Sequence, residues 1–169
     1  PDKFVLGLCR IEPENNVEMI LEAFSREGAP DLVFIGNWSS SEFGSTMRTR
    51  FGGLKNIHLL DPIYDTRVLK TIRSRAYAYV HGHSAGGTNP SLVEMMHFKL
   101  PIYAFDCSFN RYTTDQKALY FSSSSDLAKL VVQTNEHDAR TCADAMKNLA
   151  NERYTWTRVG QQYFDLLLR

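Results

Sequence analysis

The segment His81-Gly-His-Ser-Ala-Gly-Gly-Thr-Asn-Pro-Ser-Leu-Val-Glu94 is the least generic in the chain, and its residue types suit anion binding. Gly86 and Gly87 allow positive φ and close backbone approach, Asn89 is a strong helix cap, and Pro90 suits a first helical position. A helix is therefore predicted to begin at Pro90. Its free N–H groups and positive dipole end would receive a phosphate or diphosphate, with Gly87, Thr88, Asn89, Pro90, Ser91 and Leu92 around it. Glu94 stands one position too far along for a capping box, which would need its glutamate at Leu92. Helical side chains tilt back toward the N-terminus, so Glu94 could accept from the two hydroxyls of a ribose docked beside the phosphates. A solvated glutamate on an ordinary helix after a glycine-rich turn is the competing reading of the same residues.

Other polar residues read differently. His81 and His83 share a strand face, but no carboxylate or cysteine completes a metal set, and hydrogen-bonded loop histidines are the better reading. Ser84, His83 and Asp106 lack the glycine-flanked elbow of a hydrolase. Asn110 and Arg111 could face a ligand or fix their own loop, and Cys107 reads as inert.

For such a loop to act, it must leave the carboxyl end of a parallel strand, where open α/β sheets bind ligands. The patterning supplies this frame. Short apolar runs at 4–8, 31–36, 56–60, 76–81, 101–105 and 119–121 read as strands, and helical stretches fall between them. Val17, Ile20, Leu21 and Phe24 give the clearest helical stripe; shorter helices are expected near 42–51, 66–74 and 90–98. Three helices then close the chain. Their stripes are Leu127, Leu130 and Val131; Ala139, Cys142, Ala143, Met146 and Leu149; and Trp156, Val159, Tyr163, Leu166 and Leu167, each expected to pack in the core. Ser122 to Ser125 reads as a loop with a helix cap. The predicted fold is α/β, a Rossmann-like doubly wound parallel sheet of about six strands with C-terminal helices.

Composition bounds the function. The 169 residues, 43% hydrophobic and 22% charged, suit one domain, 1–169. Lysine plus arginine equals aspartate plus glutamate at 19 each, so no overall field draws in nucleic acid or an anionic membrane surface. Three cysteines without CxxC spacing suit a reducing cytoplasm rather than a disulfide framework. No apolar stretch reaches the length of a membrane span. Gly7-Leu-Cys-Arg10 lacks the GxGxxG turn of a nicotinamide-binding domain. The opening Pro1-Asp2-Lys3, running at once into a buried strand, suggests a domain excised from a longer protein.

The order Gly7-Leu-Cys-Arg10, Ile20-Leu-Glu-Ala-Phe24, Leu32-Val-Phe-Ile-Gly36, Asn56-Ile-His-Leu-Leu60, Asn89-Pro-Ser-Leu-Val-Glu-Met95 and Pro101-Ile-Tyr-Ala-Phe-Asp106 resembles the C-terminal, donor-binding domain of glycosyltransferase family 4, one half of a GT-B architecture. The likeness covers nearly the whole chain. His83 to Glu94, followed by Phe105-Asp-Cys-Ser-Phe-Asn-Arg111, looks closer still to bacterial rhamnosyltransferases of cell-surface polysaccharide assembly.

This resemblance implies that Glu94 holds the ribose, that the backbone of Thr88 to Leu92 holds the diphosphate, and that Arg10 pairs with it. Without it, Arg10 would read as a surface arginine paired with Glu12 or Glu14. Ile63 and Tyr64, in the turn Pro62-Ile-Tyr64, would lie beside the base. It implies a retaining hexosyltransferase that moves sugar from a nucleoside-diphosphate donor to a saccharide or lipid-linked acceptor, in the cytoplasm or at the inner face of the membrane. No metal or other cofactor is implied. The acceptor would be held by a separate N-terminal domain, so the isolated chain is expected to be inactive.

Two positions depart from the family. Asn15 replaces a lysine and reads as a helix cap with Glu18 as its capping-box partner. Gly86 replaces the first of two glutamates eight apart, which removes a carboxylate that holds sugar hydroxyls and would suit a deoxysugar. A non-catalytic nucleotide-binding module with a decayed site is the alternative these losses leave open. Glu94→Ala is expected to weaken nucleotide binding with little effect on folding.

Overall fold

The structure, a computed structural model, describes residues 1–168. Six strands form one parallel sheet: β1 (Val5–Leu8), β2 (Leu32–Ile35), β3 (Ile57–Leu60), β4 (Ala78–His81), β5 (Ile102–Phe105) and β6 (Leu119–Phe121). Their order is β3-β2-β1-β4-β5-β6, so the direction of winding reverses between β1 and β4. Every strand falls inside a predicted run. The crossovers are α1 (Val17–Phe24), α2 (Glu42–Phe51), α3 (Thr66–Arg75) and α4 (Pro90–Met96), with α5 (Ser108–Thr113) between β5 and β6, and α6 (Ser124–Gln133), α7 (Glu136–Arg153) and α8 (Trp156–Leu167) at the end.

Both sheet faces are covered, so the strands are apolar at successive residues rather than alternating. Val5, Leu32, Phe34, Ala78 and Val80 pack under α1, α2 and α6 through Ile20, Phe24, Met47, Phe51 and Leu127. Leu6, Ile35, Tyr79, Ile102 and Ala104 face the opposite layer of α4 and α7 through Leu92, Met95, Cys142, Met146 and Leu149. Trp38, which no periodicity announced, is fully buried beneath the loop after β2. Its indole N–H donates to Leu60 O at 3.0 Å, and its ring meets Phe34 edge-on at 5.3 Å.

Caps set most helix starts. Ser41, Asp65, Asn89, Ser123, Asn135 and Thr155 each accept a backbone N–H of the first turn. Asn15 does not cap, contrary to expectation. Residues Pro13–Asn15 form a 3-10 turn, Asn16 takes left-handed φ/ψ of 50° and 34° at the head of α1, and no side chain caps that helix. Asn15 is instead drawn inward between Arg10 O and the ring of His83.

The last stripe is also corrected. No residue of α8 is buried; Trp156 is 91% exposed and Leu167 81%. The helix packs along the end of α7 rather than on the sheet, so its amphipathy is real but its apolar face stays open. Among the described residues no helix is long and apolar enough to cross a membrane.

Candidate functional site

The loops leaving β1, β2 and β3 and the start of α4 enclose a cleft of about 530 Å³, at the switch point of the sheet. Leu8, Cys9 and Arg10 come from β1 and its loop, Gly36 and Asn37 from the loop after β2, Pro62, Ile63 and Tyr64 from the turn after β3, and Ser91 from α4. Three separate sequence predictions thus meet in one place: Arg10, the pair Ile63 and Tyr64, and the helix opened by Pro90. A larger hollow of about 840 Å³ lies among Lys3, Tyr77, Pro101 and Arg140, at the opposite, N-terminal edge of the strands.

Arg10 is three-quarters exposed and pairs only loosely with Glu12, at 3.5 Å. Such an exposed pair contributes little to stability, so its guanidinium is available to an anion. Tyr64 is 88% exposed at the cleft rim. Burial first, and Glu12 second, push the Cys9 thiol up to about 12, which disfavours the thiolate.

Asn89 caps α4 as expected, its side-chain oxygen accepting from Ser91 N at 2.9 Å. Leu92 is buried in the core, so only its backbone could serve a ligand. Gly86 takes a φ of 103°, which requires glycine, and a Cβ on Gly87 would meet nothing within 4 Å. Thr88 accepts a hydrogen bond from the Thr113 hydroxyl at 3.3 Å.

Glu94 is neither free nor simply solvated. Its Oε2 accepts from Arg73 on α3 at 2.6 Å, and the Arg73 side chain is only 14% exposed while Glu94 remains 54% exposed. Arg73 Nε is buried without a partner among the described residues.

The loop after β4 is sewn to the loop after β1, and sequence reasoning missed this seam. Asn15 Nδ2 donates to Arg10 O at 2.8 Å, while Asn15 Oδ1 faces His83 Nδ1 at 2.8 Å. Asn16 Nδ2 donates to Gly82 O at 2.8 Å, and Ser84 donates through both N and Oγ to Glu14 O. From the other side, Asn110 Nδ2 donates to His83 O and to Phe105 O. Asn110 therefore fixes its loop, one of its two readings, and Arg111 is turned away in a bidentate pair with Asp106 at 2.6 and 2.8 Å. Ser84 and Asp106 are both committed to these partners rather than to His83. Among the described residues no three His, Cys, Asp or Glu side chains group as metal ligands.

His81 is buried beneath this seam. The Tyr79 hydroxyl donates to Leu8 O at 3.2 Å and stands 3.3 Å from His81 Nδ1, while His81 Nε2 has no partner among the described residues. Burial, and then the charge of His83, lowers the His81 pKa from 6.5 to about 3. The unfolded chain thus binds a proton between these values that the folded chain refuses, so stability is lost as pH falls below 6.5. We expect a slope of at most about 1.4 kcal/mol per pH unit from this group. Urea unfolding of wild type and His81→Gln across that window checks it; equal slopes would place the acid sensitivity elsewhere.

No protein-family model matches the sequence, and no curated protein matches it. Solved structures do match its fold. Anabaena HepE in complex with UDP superposes with a TM-score of 0.83 at 16% identity, over 98% of this chain and 49% of HepE. S. aureus TarM, in a complex that includes UDP, gives 0.77 at 18%, over 98% of this chain and 35% of TarM. The C-terminal domain of a glycosyl transferase group 1 family protein, LpcC, from Francisella tularensis gives 0.72 at 16%, over 91% of this chain and 86% of that domain. The chain thus spans about half the length of HepE and nearly all of the LpcC domain. Its fold is the Rossmann-like α/β half-domain of GT-B architecture.

Proposed function

We propose that this chain is the donor-binding half of a two-domain glycosyltransferase and grips a nucleoside-diphosphate sugar in the cleft between the β1 loop and α4. The observation that carries the reading is the convergence of Arg10, Ile63, Tyr64 and Ser91 on one cleft at the switch point, from three separate stretches of sequence. The fold it shares with HepE, solved with UDP and with UDP-glucose, supports it. Tyr64 and Ile63 flank the base, Glu94 holds the ribose, and the backbone from Gly87 to Leu92 together with Arg10 holds the diphosphate. As the bond from sugar to phosphate breaks, negative charge grows on the diphosphate, and Arg10 with the N–H groups opening α4 stabilises it most at that moment. The scheme uses no metal.

The acceptor, a saccharide or lipid-linked glycan of the bacterial surface, is held by the enzyme's other domain, with transfer on the cytoplasmic side and the anomeric configuration retained. A deoxyhexose such as rhamnose suits the space left at Gly86. Acceptor binding and closure over the donor belong to that other domain, so the chain alone transfers nothing.

Thermal shift with UDP, GDP and dTDP, bare and sugar-linked, tests the reading, because ligand raises stability as RT ln(1 + [L]/Kd). At least one nucleoside diphosphate should raise the midpoint, and NAD should not. Arg10→Ala should weaken that diphosphate by about tenfold or more, the scale of a charge-assisted hydrogen bond, and leave the nucleoside nearly unchanged. Equal weakening of both would remove Arg10 from the phosphates. No shift with any nucleotide would favour a module whose site has decayed.

A further inference from the structure

His83 is held from three directions. Asn15 Oδ1 engages its Nδ1 at 2.8 Å, Asn110 Nδ2 donates to its carbonyl at 2.9 Å, and its ring lies 6.0 Å from that of His81. The Asn15 contact also fixes the tautomer. Asn15 Nδ2 is spent on Arg10 O, so the amide presents its oxygen to the ring, and His83 must donate through Nδ1. In the neutral ring this leaves a lone pair on Nε2, which has no hydrogen-bond partner among the described residues. Gly86 borders that atom: a Cβ built there would lie 3.4 Å from His83 Nε2 and meet nothing else within 4 Å. The ring is thus an oriented acceptor beside Gly86, two hydrogen bonds from the Arg10 carbonyl.

We infer that His83 is a specificity-determining residue for the donor sugar, its Nε2 accepting a sugar hydroxyl in the space that Gly86 leaves open. The inference rests on the donor-binding reading above. It supplies by a ring nitrogen the acceptor that the side chain at position 86 cannot. An uncharged acceptor tolerates a missing hydroxyl at neighbouring carbons better than a carboxylate, which would be left desolvated without its donors.

Two substitutions separate this role from scaffolding. His83→Asn places an amide where Nδ1 stands, keeping the partner of Asn15 but ending the side chain short of Nε2. His83→Gln reaches the Nε2 position with an oxygen. Calorimetric binding of UDP, GDP and dTDP is compared with that of UDP-glucose, GDP-mannose and dTDP-rhamnose on the same chain. For the pair that wild type binds, His83→Asn should weaken the sugar-linked ligand by about three- to tenfold and the bare diphosphate by less than about twofold, with His83→Gln closer to wild type. Parallel weakening of both ligands, or none, would overturn the inference while leaving the donor site standing. Absence of any nucleotide binding by wild type would overturn the donor reading and this inference with it.

Discussion

A methyl group at position 82 is expected to cost the fold about 3 kcal/mol, read as a fall of about 6–12 °C in the thermal midpoint. The Cβ of Gly82→Ala would lie 2.1 Å from Asn15 O and 2.8 Å from Ile20 Cδ1. Neither neighbour can retreat. Ile20 is fully buried in the layer under α1, and Asn15 is pinned by Arg10 O on one side and His83 on the other. Gly82 O is itself tied to Asn16 Nδ2, so the glycine cannot slide away without releasing the seam. Because the seam carries Arg10 and His83, nucleotide affinity should fall along with stability. Gly53→Ala is the control: its Cβ meets nothing within 4 Å, and its effect should stay within about 0.5 kcal/mol. Differential scanning calorimetry of the two variants decides the matter; a Gly82→Ala midpoint equal to that of wild type would mean that the two loops are not locked together.

The seam also marks where sequence reading reached its limit. Six strands were legible because apolar runs of three to six residues between helical stripes leave few alternatives to a parallel sheet, and the cap at Asn89 was legible because capping is local. Asn15 was misread for the converse reason. Next to a helix start its local chemistry says cap, but its amide bonds to a histidine 68 residues away, and no local pattern announces such a partner. Trp38, a lone aromatic in a loop, was likewise silent, and so was α5, whose six residues follow Cys107 without a side-chain cap and carry no apolar stripe. On α8 the periodicity correctly gave an amphipathic helix, but amphipathy names a face and not what lies against it. Arg10, Ile63, Tyr64 and Ser91 fell together because all follow strand ends or open a helix, positions that topology alone brings to one edge.

Glu94 draws the second large effect, in two separable parts. Sequence alone gave a residue important for ligand and neutral for folding; the Arg73 pair changes the second half. Removing Glu94 leaves a guanidinium that is 14% exposed, with Nε already unpartnered, and no other counter-ion among the described residues. A fully buried orphaned charge costs several kcal/mol; with Glu94 itself 54% exposed and water close, we expect about 1–2 kcal/mol from Glu94→Ala. Nucleotide affinity should fall by a further 1–3 kcal/mol, about 5- to 150-fold, through the lost hydrogen bonds to the ribose. Arg73→Met in the same chain tells the parts apart. Its apolar side chain fills the channel of the arginine stem and removes the stranded charge, so the double variant should regain most of the stability. It should not regain affinity, because the acceptor for the ribose hydroxyls is still missing. Urea unfolding and nucleotide titration on wild type and the two variants give both quantities, and recovery of affinity together with stability would show that Glu94 serves the ligand only by holding α3 and α4 in place.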